Sequence, residues 1–234
     1  QNGCLSSRIH FVEEGTEGYH TPLDYAVRLN NQLQMLAAVL PRGAWPRQQL
    51  RDRFDKYKLL EVTGQVQVLS SYEDDYVLAL DSRPLTAAGL RAAINDCQGR
   101  VILVRPVSDL MQIPKHYLSS LPANNLQSLS VAVGPSQERP IAPFLRFAEA
   151  CAHCGVTALR TVGRGAFPQL AYSWDGFLPL DLVKQRPAGR FTTIESDDLY
   201  EQMLETYRTF QQRVATLTPP ENKRFMDRAC ALRI

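Results

Sequence analysis

Cys4 lies in the stretch QNGCLSSRIHFVEEG, after a glycine that lets the backbone turn closely and before small polar residues that leave room for a substrate. A cysteine so placed can serve as a nucleophile if a positive charge or a base is near and backbone N–H groups hold the oxyanion. The residues alone leave a second reading open, an idle thiol, because most lone cysteines are inert packing. Cys151-Ala152-His153-Cys154 has the spacing that chelates zinc or exchanges disulfides. Zinc wants two more ligands, and His10, His20 and His116 offer no close pair. A redox pair gains from a helix N-terminus, whereas these cysteines close a helix just before Gly155, so both are read as packing and no metal is expected.

Two further features could touch a ligand. Arg164 stands between Gly163 and Gly165, where pliant backbone and a guanidinium suit a phosphate group. Trp174-Asp175-Gly176 reads either as a substrate contact or as a tight turn beside a packed indole, and the turn is the simpler account. Residues 114–125, with Lys115, His116, Tyr117 and paired asparagines, read as polar surface.

The elements that must hold these residues are legible from period and punctuation. RIHFV at 8–12 alternates and is β-rich, closed by the Glu-Glu-Gly turn. After it, Leu23, Ala26, Val27, Leu33, Leu36 and Ala37 recur at helical steps, with Thr21 as cap, Pro22 in the first turn and Pro41 as stop. A more exposed helix is expected over 46–57. Apolar runs near 66, 76, 100 and 129 read as strands, and so does VTALRTVG after Gly155; helices are expected at LTAAGLRAAIND and at IAPFLRFAEACAHC, the latter with Phe144, Phe147, Ala148 and Cys151 on one face. Strands alternating with helices predict an α/β fold with a mostly parallel sheet flanked by helices. The tail changes after Gly189: from Ser196, acidic residues in the first turn and a Leu199, Met203, Tyr207, Phe210 stripe predict a long amphipathic helix.

Composition narrows the partners. With 26 basic and 24 acidic side chains dispersed along 234 residues, no field of one sign is available for nucleic acid or anionic lipid. No apolar run approaches the roughly 20 residues of a membrane span. Five cysteines, an odd number, suit a reducing, cytoplasmic compartment. The abrupt start on Gln1 reads as a piece of a longer chain.

With its strand and helix, QNGCLSSRIHFVEEG resembles the nucleophile segment of the aldehyde dehydrogenase superfamily. Far along the chain, GVTALRTVGRGAFPQLAYSWDGFLPLDLV at 155–183 resembles the C-terminal signature of that superfamily's acyl-CoA reductase branch, the LuxC type that makes fatty aldehyde for luminescence. Many aldehyde dehydrogenases carry a ribose-binding Glu before a Phe-Gly-Pro turn; the comparable place here reads GRVILVRPVSDL, without the Glu, which fits the reductase branch better.

The resemblance implies NADH- or NADPH-dependent reduction of a long-chain acyl-CoA to aldehyde through an acyl-cysteine on Cys4, with Arg164 as a candidate for the coenzyme A phosphates. It implies a catalytic α/β domain over 1–190, a helical extension over 191–234, and a general base, oxyanion-hole residue and nucleotide-binding half upstream of Gln1. Partners would be acyl-CoA, that upstream half, and a second copy or an acyl-transfer enzyme. Two other functions stay open: a non-catalytic binding or assembly module, and an ordinary NAD-dependent aldehyde dehydrogenase.

Overall fold

The computed structural model describes residues 7–15, 21–39, 46–122, 126–132, 141–162 and 193–195. The most apolar run, VILVRPV, forms strand β4 (Val101–Val107), as expected of a strand covered on both faces. It lies between β1 (Ile9–Glu13) and β3 (Val77–Asp81), both parallel to it, and β2 (Val66–Val68) adds an antiparallel edge, giving the order β1-β4-β3-β2. A second, parallel sheet has the order β5-β6-β7, from Ser128–Val131, Ala158–Thr161 and Thr193–Glu195. The sequence places no strand beyond Gly189. β7 is too short to show a period, and its place is set by pairing with β6.

Helices supply the parallel crossovers. Helix α3 (Ala87–Asp96) joins β3 to β4, and α4 (Ile141–His153) joins β5 to β6. Their ends follow local chemistry. Thr86 caps α3 by accepting the Gly89 N–H at 3.0 Å. Gly155, at φ 97°, ends α4 as expected, with Gly155 N–H bonded to Ala152 O at 2.9 Å and Val156 N–H to Cys151 O at 3.1 Å, the paired bonds of a Schellman motif.

Alternation in β4 sends successive side chains to opposite faces. Val101 and Leu103 meet Val77, Ala79, Leu50 and Tyr57 of α2 (Arg47–Glu61), and Ala93 of α3. Val104 on the other face meets Leu78, Tyr76 and Ala26 of α1 (Pro22–Val39). The helix α1 docks by Ala26, Tyr25, Leu29 and Leu33, while Leu23, Val27 and Leu36, expected on the same face, are exposed. Apolar residues surround most of α1, so its own period does not choose a face; contact with Val12, Leu78 and Val104 does. A third core joins the sheets: Phe147, Ala148 and Cys151 of α4 pack with Val107, Leu159, Ile113 and Leu118, and with Phe11 of β1 at its margin. Pro114 and Leu118 are thus buried within a stretch expected to be surface, while Lys115 and His116 do reach solvent. The expected helix from Ser196 lies outside the described residues.

Two carboxylates tie the layers together. Asp96 ends α3, where the helix dipole disfavours an acid. It is held by Arg53 Nη1 at 2.8 Å, by Lys56 Nζ and by the Tyr57 hydroxyl at 3.3 Å, which clamp α2 onto α3. Asp81 ends β3 and is 1% exposed; Arg105 of β4 reaches it at 2.8 Å and Arg83 at 2.9 Å, while Arg105 also donates to the Arg83 carbonyl. Burial pushes the Asp81 carboxyl up, but the Arg83 hydrogen bonds and the Arg105 charge outweigh it, leaving it below its ordinary value of 3.8. A lowered folded value means that Asp81 stabilises the fold above pH ~4 and that this is lost as pH falls through the folded value. Asp81→Asn, which strands the buried Arg105 charge, is expected to cost about 3–5 kcal/mol in urea unfolding at pH 7. It should also flatten the acid limb of the stability curve below pH ~4.

Candidate active site

Cys4, Arg164 and Trp174-Asp175-Gly176 lie outside the described residues, which begin at Ser7 and take up the Cys4 segment as it enters β1. That entry is firmly built. Leu103 N–H donates to Arg8 O at 3.1 Å, the register then runs from Ile9 opposite Leu103 to Glu13 opposite Val107, and Glu14 N–H donates to Val107 O at 2.7 Å. The Glu13 carboxylate accepts the Leu110 N–H at 3.3 Å, fixing the far end of the strand to the loop after β4. Residues Arg8 to Glu14 are therefore held beside β4.

At the start of β1 a polar line crosses from sheet to helix. His10 Nε2 meets Ser7 Oγ at 2.7 Å and His10 Nδ1 meets Tyr25 Oη at 2.6 Å. Tyr25 sits in the first turn of α1, which Thr21 caps as expected: Asp24 N–H donates to Thr21 Oγ1 at 3.1 Å, and Thr21 donates its N–H and hydroxyl to Asp24 Oδ2 at 3.0 and 2.9 Å. Sequence reasoning considered His10 only as a metal ligand. The sign it overlooked is a histidine in a half-buried strand position, which must find hydrogen-bond partners. Arg105 was overlooked in the same way, although an arginine inside VILVRPV needs a buried acid.

Three thiols are described, all free: Cys97, Cys151 and Cys154. Burial pushes the Cys97 thiol up to about 12, helped by the neighbouring Asp96 charge and opposed by a backbone hydrogen bond from Leu103 and the charge of Arg8. Burial likewise pushes Cys151 up to about 12, with the adjacent Cys154 adding to it. Cys154 is raised by burial too, and its S–H donates to Pro114 O at 3.3 Å. Apolar surroundings of this kind suppress the thiolate, and Cys151 and Cys154 pack a core, as their place at a helix end suggests. Among the described residues no three histidine, cysteine or acidic side chains converge on one point, and no helix is long and apolar enough to cross a membrane.

The family model for acyl-CoA reductase (LuxC) matches residues 1–186, from the Cys4 segment through the Gly-Val-Thr, Gly-Arg and Trp-Asp-Gly signature. The chain belongs to the LuxC family of acyl-CoA reductases. Membership makes it an oxidoreductase acting on acyl-CoA. No curated protein and no solved structure matches it. LuxC reductases draw on a reduced nicotinamide nucleotide. Two described helix starts are poorly suited to its pyrophosphate: Thr21 and Thr86 each occupy an N-terminal N–H of α1 and α3, and Asp24 adds a negative charge at α1.

Native iodoacetamide labelling at pH 8 with peptide mass mapping checks the thiol assignment. Cys97 and Cys151 are expected to react at least roughly a thousandfold more slowly than a free cysteine, from their thiolate fractions alone, and to reach the free rate after unfolding.

Proposed function

We propose that this chain carries the acyl-transfer centre of a fatty acyl-CoA reductase, with Cys4 as its nucleophile. The observation that carries the reading is the LuxC match, which begins at residue 1 and includes Cys4 in its nucleophile-like segment. Support comes from the architecture behind it: a mostly parallel α/β sheet in which β1, the strand that follows Cys4 in sequence, pairs with β4. The buried state of Cys97 and Cys151 speaks against either as a rival nucleophile.

The Cys4 thiolate adds to the thioester carbonyl of a long-chain acyl-CoA, backbone N–H groups beside it hold the oxyanion, and the C–S bond to coenzyme A breaks. A new thioester joins the acyl group to Cys4. The coenzyme A thiolate leaves and takes up the proton that Cys4 lost. The covalent bond keeps the acyl group in place while coenzyme A departs. NADH or NADPH supplies the hydride that turns this acyl group into aldehyde. Its binding half belongs upstream of Gln1, in keeping with the aldehyde dehydrogenase resemblance, and Arg164 is the candidate for the coenzyme A phosphates. Residues 1–190 form the catalytic domain on this reading, and 191–234 form the extension that meets a second copy or an acyl-transfer enzyme.

A single-turnover experiment without nicotinamide tests it. Mixing the protein with a radiolabelled long-chain acyl-CoA should release one coenzyme A per chain and leave a label that hydroxylamine removes; Cys4→Ala should show neither. A Cys4→Ala protein that still releases coenzyme A in a burst removes the reading.

A further inference from the structure

The acyl-transfer reading leaves Ser7, His10 and Tyr25 without a task, yet they form a polar line from the first turn of α1 to the residue three positions after Cys4 in sequence. His10 is held from both sides. Its backbone pairs in register with Val104, which is fully buried, and its ring lies 5.8 Å from the Tyr25 ring, tilted by 56°. Tyr25 is itself anchored, its N–H donating to Thr21 O at 3.0 Å within the capped first turn of α1. The helix start is thus a fixed post, and the line runs from it through His10 to Ser7.

Packing does not call for an imidazole here. Leucine or phenylalanine would fill the space between β1 and α1 without a desolvation cost, and burial of the ring lowers the His10 pKa. A neutral imidazole brings one donor and one acceptor at opposite edges of a rigid ring, and hydroxyls at both ends can answer either tautomer. Burial raises the Tyr25 phenol, which keeps its proton for the same exchange. Ser7 is exposed, so its bond to His10 adds little to global stability. Its effect is to give the chain a direction where it leaves β1. Cys4 is three residues from Ser7, a reach of at most ~11 Å.

We propose that His10 is a positioning residue for acyl transfer, aiming the Cys4 segment by linking Ser7 to Tyr25. This rests on the reading of Cys4 as the nucleophile. A bond that restrains three residues removes wrong orientations of the thiolate, so its loss should appear in the rate of acylation and not in acyl-CoA affinity.

Rapid-quench acylation by a long-chain acyl-CoA, measured in the intact protein, reads this directly for Ser7→Ala, Tyr25→Phe, His10→Leu and His10→Gln. Ser7→Ala and Tyr25→Phe should each acylate about fivefold more slowly, the worth of one net hydrogen bond, with an unchanged Kd for acyl-CoA. The double variant should be no slower than the slower single one, because either change breaks the same line. His10→Gln, which can both donate and accept, should retain more of the rate than His10→Leu, which fits the apolar site better. Wild-type rates in both single variants, or rate losses across the four that simply follow their thermal midpoints, would overturn the role. Cys4→Ala runs alongside. Acylation that survives it removes the nucleophile and the positioning role together, whereas its loss there with unaltered rates in the four variants leaves Cys4 standing and overturns His10 alone.

Discussion

The parallel pairing of β1 with β4 is the constraint on which the site depends. β1 is short and half-buried, so it has little reason to stay extended by itself. It is held because β4 is already fixed from three sides: by β3, by α1 on one face and by α2 and α3 on the other. The residues of β1 inherit that fixity. Val12 faces α1, Phe11 stacks on Tyr117 at 5.2 Å toward the second core, His10 reaches Tyr25, and the chain before Ser7 leads to Cys4. A residue early in the sequence is thereby positioned by one far along it.

Buried charge enforces the same arrangement from behind. Asp81 and Arg105 face each other on adjacent strands, and the pair is tolerable only because Arg83 and the Arg83 carbonyl complete their hydrogen bonds. A slip of β3 against β4 by one residue would send these groups to the opposite, apolar face, so the pair also selects the register.

How much of this could be read from the sequence depends on whether the cause was local. Thr21, Gly155 and the alternation of RIHFV act within a few residues, and the elements they bound are where their chemistry puts them. The docking face of α1 was not legible, because Leu23 and Val27 are as apolar as Leu29 and Leu33 and only the sheet beneath distinguishes them. Likewise, Leu118 sits in a polar stretch but is drawn inward by the core around Phe147 and Cys151, and Pro114 in the same stretch is buried. In the site, the Cys4 segment was recognisable by its motif and the LuxC match supports the family, whereas the Ser7–His10–Tyr25 line joins two elements and has no signature in either.

The sheet fixes the strand that follows the cysteine-bearing segment in sequence, and among the described thiols Cys97 and Cys151 are buried and Cys154 is half-buried. The most direct measurement of that account is a peptide map of the protein quenched in acid after brief exposure to a long-chain acyl-CoA without nicotinamide. The account predicts the acyl mass on the peptide containing Cys4, in near-stoichiometric yield, with Cys97, Cys151 and Cys154 unmodified. An acyl group on any other residue, or an unmodified Cys4 peptide in protein that has released coenzyme A, would contradict it.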